Sequence, residues 1–271
     1  SARIGKGTFI GISEIVMFQR ADSNQNGYDI SYLNPVMFLR ATEINAGSND
    51  NVMMALDFKH HTNFNTIFYG QFLLDEFNIK FIRQNNGWWA NKYGYQLGAK
   101  YANTNLNGSM LSISSEYNRV RPFTYSHFNS GSSYSHFNQS LAHPLGSNFQ
   151  EIYTRVHYAP KKLAGKKNMV IFDASLSLAK KGVDSTLNGA NFGGDILRSN
   201  TTRKQDFGND LFQGKTVNAV LADVSVSYRV GYASFFDVRV QYRSGANYIA
   251  TGTAITFGYR LNADLSRLNW F

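Results

Sequence analysis

Apolar side chains recur at every second position in segment after segment of this chain, and that period limits what it can fold into. From Asn51 to His60, Val52, Met54, Leu56 and Phe58 fall on one side, with Met53, Ala55, Asp57 and Lys59 on the other. Val220, Ala222, Val224, Val226 and Tyr228 oppose Asp223, Ser225, Ser227 and Arg229 in the same way, and Phe236, Val238, Val240 and Tyr242 oppose Asp237, Arg239, Gln241 and Arg243. Successive side chains of a strand point to opposite faces, so each segment has one apolar and one polar side. A soluble β-sandwich also alternates, but it has no second apolar face to spare, whereas here consecutive strands carry large apolar groups at nearly every outward position. The pattern predicts an all-β fold: an antiparallel transmembrane β-barrel of the bacterial outer membrane, its apolar face against lipid.

Hydropathy averages miss such a fold. No apolar run approaches the roughly 18 to 20 residues that a membrane-spanning helix needs, and the mean hydropathy of −0.32 would by itself suggest a soluble protein. Composition favours strands and turns, with 15% aromatics, only 17% charged residues and 23 Gly against 4 Pro. The chain has no Cys, which excludes a disulfide framework and any thiolate metal site.

Alternating stretches at Phe9 to Phe18, Ile30 to Arg40, Asn51 to His60, Asn63 to Leu74, Ala90 to Tyr101, Leu111 to Tyr117, Phe149 to Ala159, Val170 to Leu178, Val220 to Arg229, Phe236 to Arg243 and Ile249 to Leu261 amount to about eleven strands in a single barrel domain over residues 1–271. Bacterial barrels of one chain normally have an even number, and Ser1 to Gly7 has neither the basic start nor the apolar stretch of a signal peptide. Both features lead us to expect the C-terminal portion of a larger barrel. Tight links at His60 to Asn63, Asn103 to Gly108, Pro160 to Lys167 and Val230 to Tyr232 alternate with long ones at Ile79 to Trp89, 122–148 and 182–214. Short turns are periplasmic and long loops extracellular in such barrels, so the C-terminus, ending Asn269-Trp270-Phe271, is expected in the periplasm.

Residues Arg121 to Phe149 read RPFTYSHFNSGSSYSHFNQSLAHPLGSNF. Together with YLNPVMFLRATE (Tyr32 to Glu43), GSNDN (Gly47 to Asn51) and GQFLLDEF (Gly70 to Phe77), this stretch resembles the Wzi-like capsule-assembly family, which includes the gliding-motility barrel RemB. The resemblance covers about the first 150 residues; beyond them it rests on strand rhythm and a TFGYRLN stretch near the end. It implies a barrel of up to about eighteen strands and a non-enzymatic role. That role is either holding surface polysaccharide or serving as a structural subunit of a gliding, adhesin-secretion or other envelope machine.

Within the 122–148 loop two identical pentapeptides, Tyr125-Ser126-His127-Phe128-Asn129 and Tyr134-Ser135-His136-Phe137-Asn138, lie nine residues apart. Sugar sites need flat rings to stack on pyranose faces and amide or imidazole groups to bond hydroxyls. Tyr125, His127, Asn129, Tyr134, His136, Asn138, Gln139 and His143 supply both and are the candidate polysaccharide ligands. A loop folded into the lumen as a plug would use the same groups to satisfy its own backbone, so both readings stand. The spacings of His127, His136 and His143 match no standard metal pattern, and no carboxylate lies among them. No G-x-S-x-G elbow occurs and no base, orienting acid and oxyanion hole can be assigned, so no catalytic residue, metal or cofactor is expected. Asp75 and Glu76, adjacent on a strand, are expected on opposite faces, unable to share a proton or substrate, and to serve as structural anchors at a strand end.

The net charge of +9 is traced to the turn holding Lys161, Lys162, Lys166 and Lys167 and to lumen candidates Lys92, Lys100, Arg155, Arg229, Arg239 and Arg243. These cations either pair with Asp57, Asp173, Asp223 and Asp237 across the lumen or attract acidic polysaccharide and lipopolysaccharide phosphates. The expected partners are outer-membrane lipid, lipopolysaccharide, surface polysaccharide and other outer-membrane proteins, but no nucleic acid.

Overall fold

The computed structural model describes residues 1–17, 50–76, 78–106, 108–163, 166–167, 170–184, 189–231, 233–245 and 249–261. Its strands are β1 (Ala2–Arg3), β2 (Thr8–Met17), β3 (Asn51–His61), β4 (Thr66–Glu76), β5 (Lys92–Leu106), β6 (Ser109–Val120), β7 (Ser135–His136), β8 (Gln139–Ser140), β9 (Phe149–Ala159), β10 (Lys162–Leu163), β11 (Lys166–Lys167), β12 (Val170–Val183), β13 (Lys215–Arg229), β14 (Ser234–Gly245) and β15 (Ile249–Leu261). Helix α1 (Ile79–Gln84) lies between β4 and β5. Eleven strands form one antiparallel sheet in chain order, β1-β2-β3-β4-β5-β6-β9-β12-β13-β14-β15, while β7 with β8 and β10 with β11 are separate two-stranded ladders. Among the described residues β1 and β15 share no ladder.

Two strands, β9 and β15, run over the residues their alternation predicts. Strand β4 starts at Thr66 rather than Asn63, because Asn65 takes a left-handed φ of 54° and closes the turn from β3. The two-residue β1 has no sequence signal, and the expected strand Ile30 to Arg40 lies outside the described residues, as do Tyr32 to Glu43 and Asn269 to Phe271. The total of eleven is therefore reached with one different member.

The two faces of the sheet differ as the alternation requires. Leu56, Phe68, Leu97, Ile152, Leu176, Val224, Val240 and Phe257 are all exposed on one face, which winds through every long strand from β3 to β15. The opposite face is a lattice of polar side chains that bond one another across neighbouring strands. Tyr69 of β4 shows why glycine is used there: its hydroxyl reaches across β5 to Glu116 of β6 at 2.5 Å. A Cβ on the intervening Gly98 would lie 2.4 Å from the tyrosine ring.

The longest connections fall at one end of the sheet. His61 to Thr66, Leu106 to Ser109 and Arg229 to Ser234 are tight turns at the opposite end, while 78–91, 121–148 and 189–214 belong to the long connections. The apolar core sits at the loop end, where Met53, Leu73, Val120, Phe149, Tyr125 and Ile196 pack together. Four of these come from strands and two from loops, so the loops are seated on the sheet and share its core.

Candidate site in the loop assembly

A bulge in β4 seats the 121–148 loop. The β4–β5 register shifts between Leu74 and Glu76, and the extra residue breaks the strict alternation that would have sent Asp75 and Glu76 to opposite faces. This corrects the sequence expectation: both carboxylates serve the same loop. Asp75 Oδ2 accepts the backbone N–H of Tyr125 at 2.7 Å. Glu76 lies 3.1 Å from Lys92 Nζ, and that ammonium donates to the carbonyl of Ser126 at 3.0 Å while lying 5.2 Å from the Trp89 ring centre. Lys92 is completely buried, so this lumen candidate acts as a clamp on the loop.

The identical pentapeptides take unlike environments. In the first, Tyr125 (φ 74°) is buried in the core. Burial, reinforced by the Asp75 charge, pushes its phenol above the ordinary range. His127 is buried too; its N–H donates to Ser133 Oγ at 3.2 Å and its carbonyl accepts from Asn200 N at 3.3 Å. Burial first, and then the Lys92 charge, hold its imidazole below the usual value. Asn129 caps a 3-10 turn by accepting from Gly131 N at 3.1 Å.

The second pentapeptide is lifted out. Tyr134 is half-buried, donating its backbone N–H to the Tyr125 carbonyl at 2.9 Å with the two rings 5.9 Å apart. Beyond it the chain turns through Phe137 (φ 47°) and Asn138 (φ 58°) into the β7–β8 hairpin. His136, Phe137, Asn138 and Gln139 are exposed, Phe137 to 87%. One copy of the motif is thus a structural plug and the other a solvent-facing rim.

Hydrogen bonds join this loop to the 184–214 loop. The fully buried Asn148 side chain donates to the carbonyls of Gly182 (3.1 Å) and Gln213 (2.9 Å) and accepts from Phe212 N (2.7 Å). Ser147 donates to Gly193 O at 2.7 Å, and Ser199 to Phe128 O at 2.6 Å. Gly193, at φ 72°, permits the approach, since a Cβ there would meet Phe123 N at 2.4 Å. Between the loops a cavity of about 350 Å3 is lined by Asn138, Gln139, Leu145, Lys181, Asp195 and Leu197. Lys181 Nζ bonds the carbonyls of Leu145 and Gly194 from one wall.

Beneath the strap of residues 141–148 lies a larger cavity of about 710 Å3, reaching from β6 to β15. His143 forms part of its roof: Nε2 is 2.9 Å from Glu151, Nδ1 accepts from Leu145 N at 3.2 Å, and the ring stacks on Phe149 at 4.5 Å. Glu151 also receives Ser177 Oγ (2.5 Å) and Asn118 Nδ2 (3.2 Å). Lower on the polar face, Asp173 meets Arg155 (3.2 Å) and His157 (3.0 Å), Asp223 meets Arg239 (2.6 Å), and Asp237 meets Arg260 (3.0 Å). Arg229 lies 5.4 Å from the Phe235 ring centre. Lys100 lines a separate hollow with Asp57 and Lys59, and Arg243 lines the large cavity. His127, His136 and His143 occupy three separate surroundings. Nothing local in the sequence distinguishes Glu151, Asn148 or Arg260 from other strand-end polar groups, whereas Asp75 has the anchoring place at a strand end that the sequence suggests for it.

No family model and no curated protein matches this sequence. Among solved structures, the chain is similar to the Escherichia coli outer-membrane protein Wzi, with a TM-score of 0.56 and 12% identity over 93% of this chain and 48% of that one. The fold is that of an outer-membrane β-barrel. Wzi is described as a carbohydrate-binding β-barrel involved in group 1 capsule assembly. The present chain spans about half of its length. With this fold in place, the exposed apolar face is the lipid-facing wall and the polar face is the interior.

Proposed function

We propose that this chain is a non-enzymatic outer-membrane barrel that binds surface polysaccharide at its loop end, with that end extracellular and the tight turns and C-terminus periplasmic. One observation carries the reading: the second pentapeptide presents His136, Phe137 and Asn138 to solvent, and Asn138 and Gln139 also line the 350 Å3 cavity between the loops. A bare aromatic ring beside amide groups at the edge of a polar cleft is the chemistry that stacks on a sugar face and bonds its hydroxyls. The Phe137 ring meets only the edge of the neighbouring His136 ring, at 4.2 Å, among the described aromatic contacts, and leaves most of its surface to solvent. The fold shared with a carbohydrate-binding barrel supports the same reading.

Retention of the detergent-solubilised protein on an array of bacterial polysaccharides tests it. Replacing Phe137, Asn138 and Gln139 by Ala should lower retention at least tenfold while the barrel keeps its heat-modifiable mobility on gels. Unchanged retention would overturn the reading, and stable co-purification of envelope proteins in its place would favour a structural subunit.

A further inference from the structure

We propose that the 710 Å3 interior cavity is a second carbohydrate subsite, selective for an acidic sugar whose carboxylate is met by Arg243. The volume falls in the range of small-molecule sites and accommodates a short glycan segment.

Selectivity follows from which of its polar groups are already committed. Glu116 is bonded by Tyr69 (2.5 Å) and Gln96 (3.1 Å), Glu151 by Ser177, His143 and Asn118, and Asp223 by Arg239 (2.6 Å) and Gln241 (2.8 Å). The cavity's three acids therefore have their charge compensated or their lone pairs filled by protein donors. Arg243, Tyr153, Ser175 and Thr253 also line the cavity, and among the described residues none of their side chains has a hydrogen-bond or ion-pair partner. The groups left to a ligand include one guanidinium and three hydroxyls. A guanidinium offers paired N–H groups that match a carboxylate, and the hydroxyls suit the rest of a sugar. A neutral glycan would leave the Arg243 guanidinium without a carboxylate partner.

The inference rests on the reading of the barrel as a glycan binder, and the experiment keeps the two apart. Titration calorimetry of the full chain in detergent would use digalacturonate and its dimethyl ester, which has the same frame without the charge. Digalacturonate should bind and the ester about tenfold more weakly, the loss of one charge-assisted pair. Arg243→Ala should erase that difference and Arg243→Lys should restore part of it. The Phe137, Asn138 and Gln139 variant should bind digalacturonate as the parent does. No digalacturonate binding, or binding indifferent to Arg243→Ala, would overturn the interior subsite. Loss of digalacturonate binding in the Phe137 variant would also overturn it while leaving the rim site standing. Array retention unchanged in the Phe137 variant, with Arg243-dependent titration intact, would remove the rim site alone.

Discussion

The carboxylate of Asp75 accepts the backbone N–H of Tyr125 at 2.7 Å across fifty residues of sequence, so a buried acid at a strand end decides where the 121–148 loop begins its path over the barrel. A hydrogen bond to a charged acceptor contributes about 1.5–3 kcal/mol, more than an ordinary one. Asp75→Ala should release residues 125–134 locally while the strands persist, raising amide exchange of that segment by about tenfold or more at constant barrel melting behaviour. Protection unchanged in the variant would mean that the Lys92 clamp suffices alone.

Asn148 should be the most sensitive single position in the joint between the loops. Its side chain makes three hydrogen bonds to the other loop and its strand ends while its backbone sits at φ 59°. Asn148→Ala loses the bonds and, with them, the short polar side chain that lets Asn adopt the left-handed conformation more readily than Ala, a cost of about 3 kcal/mol. Asn148→Gly loses the bonds but keeps the conformation easy and should cost about 1 kcal/mol less. Proteolysis of the 184–214 loop should accelerate in the order parent, Gly, Ala; equal rates would rule out this role.

Acid should loosen the first pentapeptide before it affects the barrel. His127 is held below its ordinary value of 6.5 by burial and then by Lys92, so the docked loop binds fewer protons than the released one. The stabilisation is complete above about 6.5 and declines as pH falls through that value toward the lowered one. Amides of Ser126 to Ser133 should exchange faster, relative to the intrinsic rate, at pH 5.5 than at pH 7.5. His127→Asn, which does not titrate, should flatten the difference; an equal difference in that variant would assign it elsewhere.

The two faces of β14 predict opposite tolerances. Val240 faces lipid near the middle of the strand, and an arginine there should cost about 2–4 kcal/mol. Gln241 faces the interior beside Asp223, and Gln241→Arg should cost less than about 1 kcal/mol because the added charge stays among polar groups. Urea unfolding in lipid vesicles reads the contrast, and equal costs would place lipid against neither face or both.

The alternation could be read directly because a strand has a period of two: choosing the face of Val224 also settles the face of Asp223 and of every residue in register with them. That rule carried β9 and β15 to their observed ends, and it located the long connections. It failed at Asp75, where the β4 bulge inserts one residue and both carboxylates turn to the same loop. No local signal marks a bulge that is stabilised by a loop fifty positions away.

By itself the sequence determined the barrel wall, since lipid and interior select side chains one by one and leave the selection written in the order of residues. The site was decided only by tertiary structure. Two pentapeptides with identical sequences became a buried plug and an exposed rim because Asp75, Lys92 and Asn200 engage the first, whereas in the second Tyr134 is held against Tyr125 and, among the described residues, no side chain from another strand or loop bonds His136 to Asn138. Likewise, Arg239 is paired with Asp223, while the side chain of Arg243, four residues further along the same face, has no ion pair or hydrogen bond among the described residues. Partners drawn from distant strands and loops set the burial and charge of each group, and those partners come together only when the chain has folded.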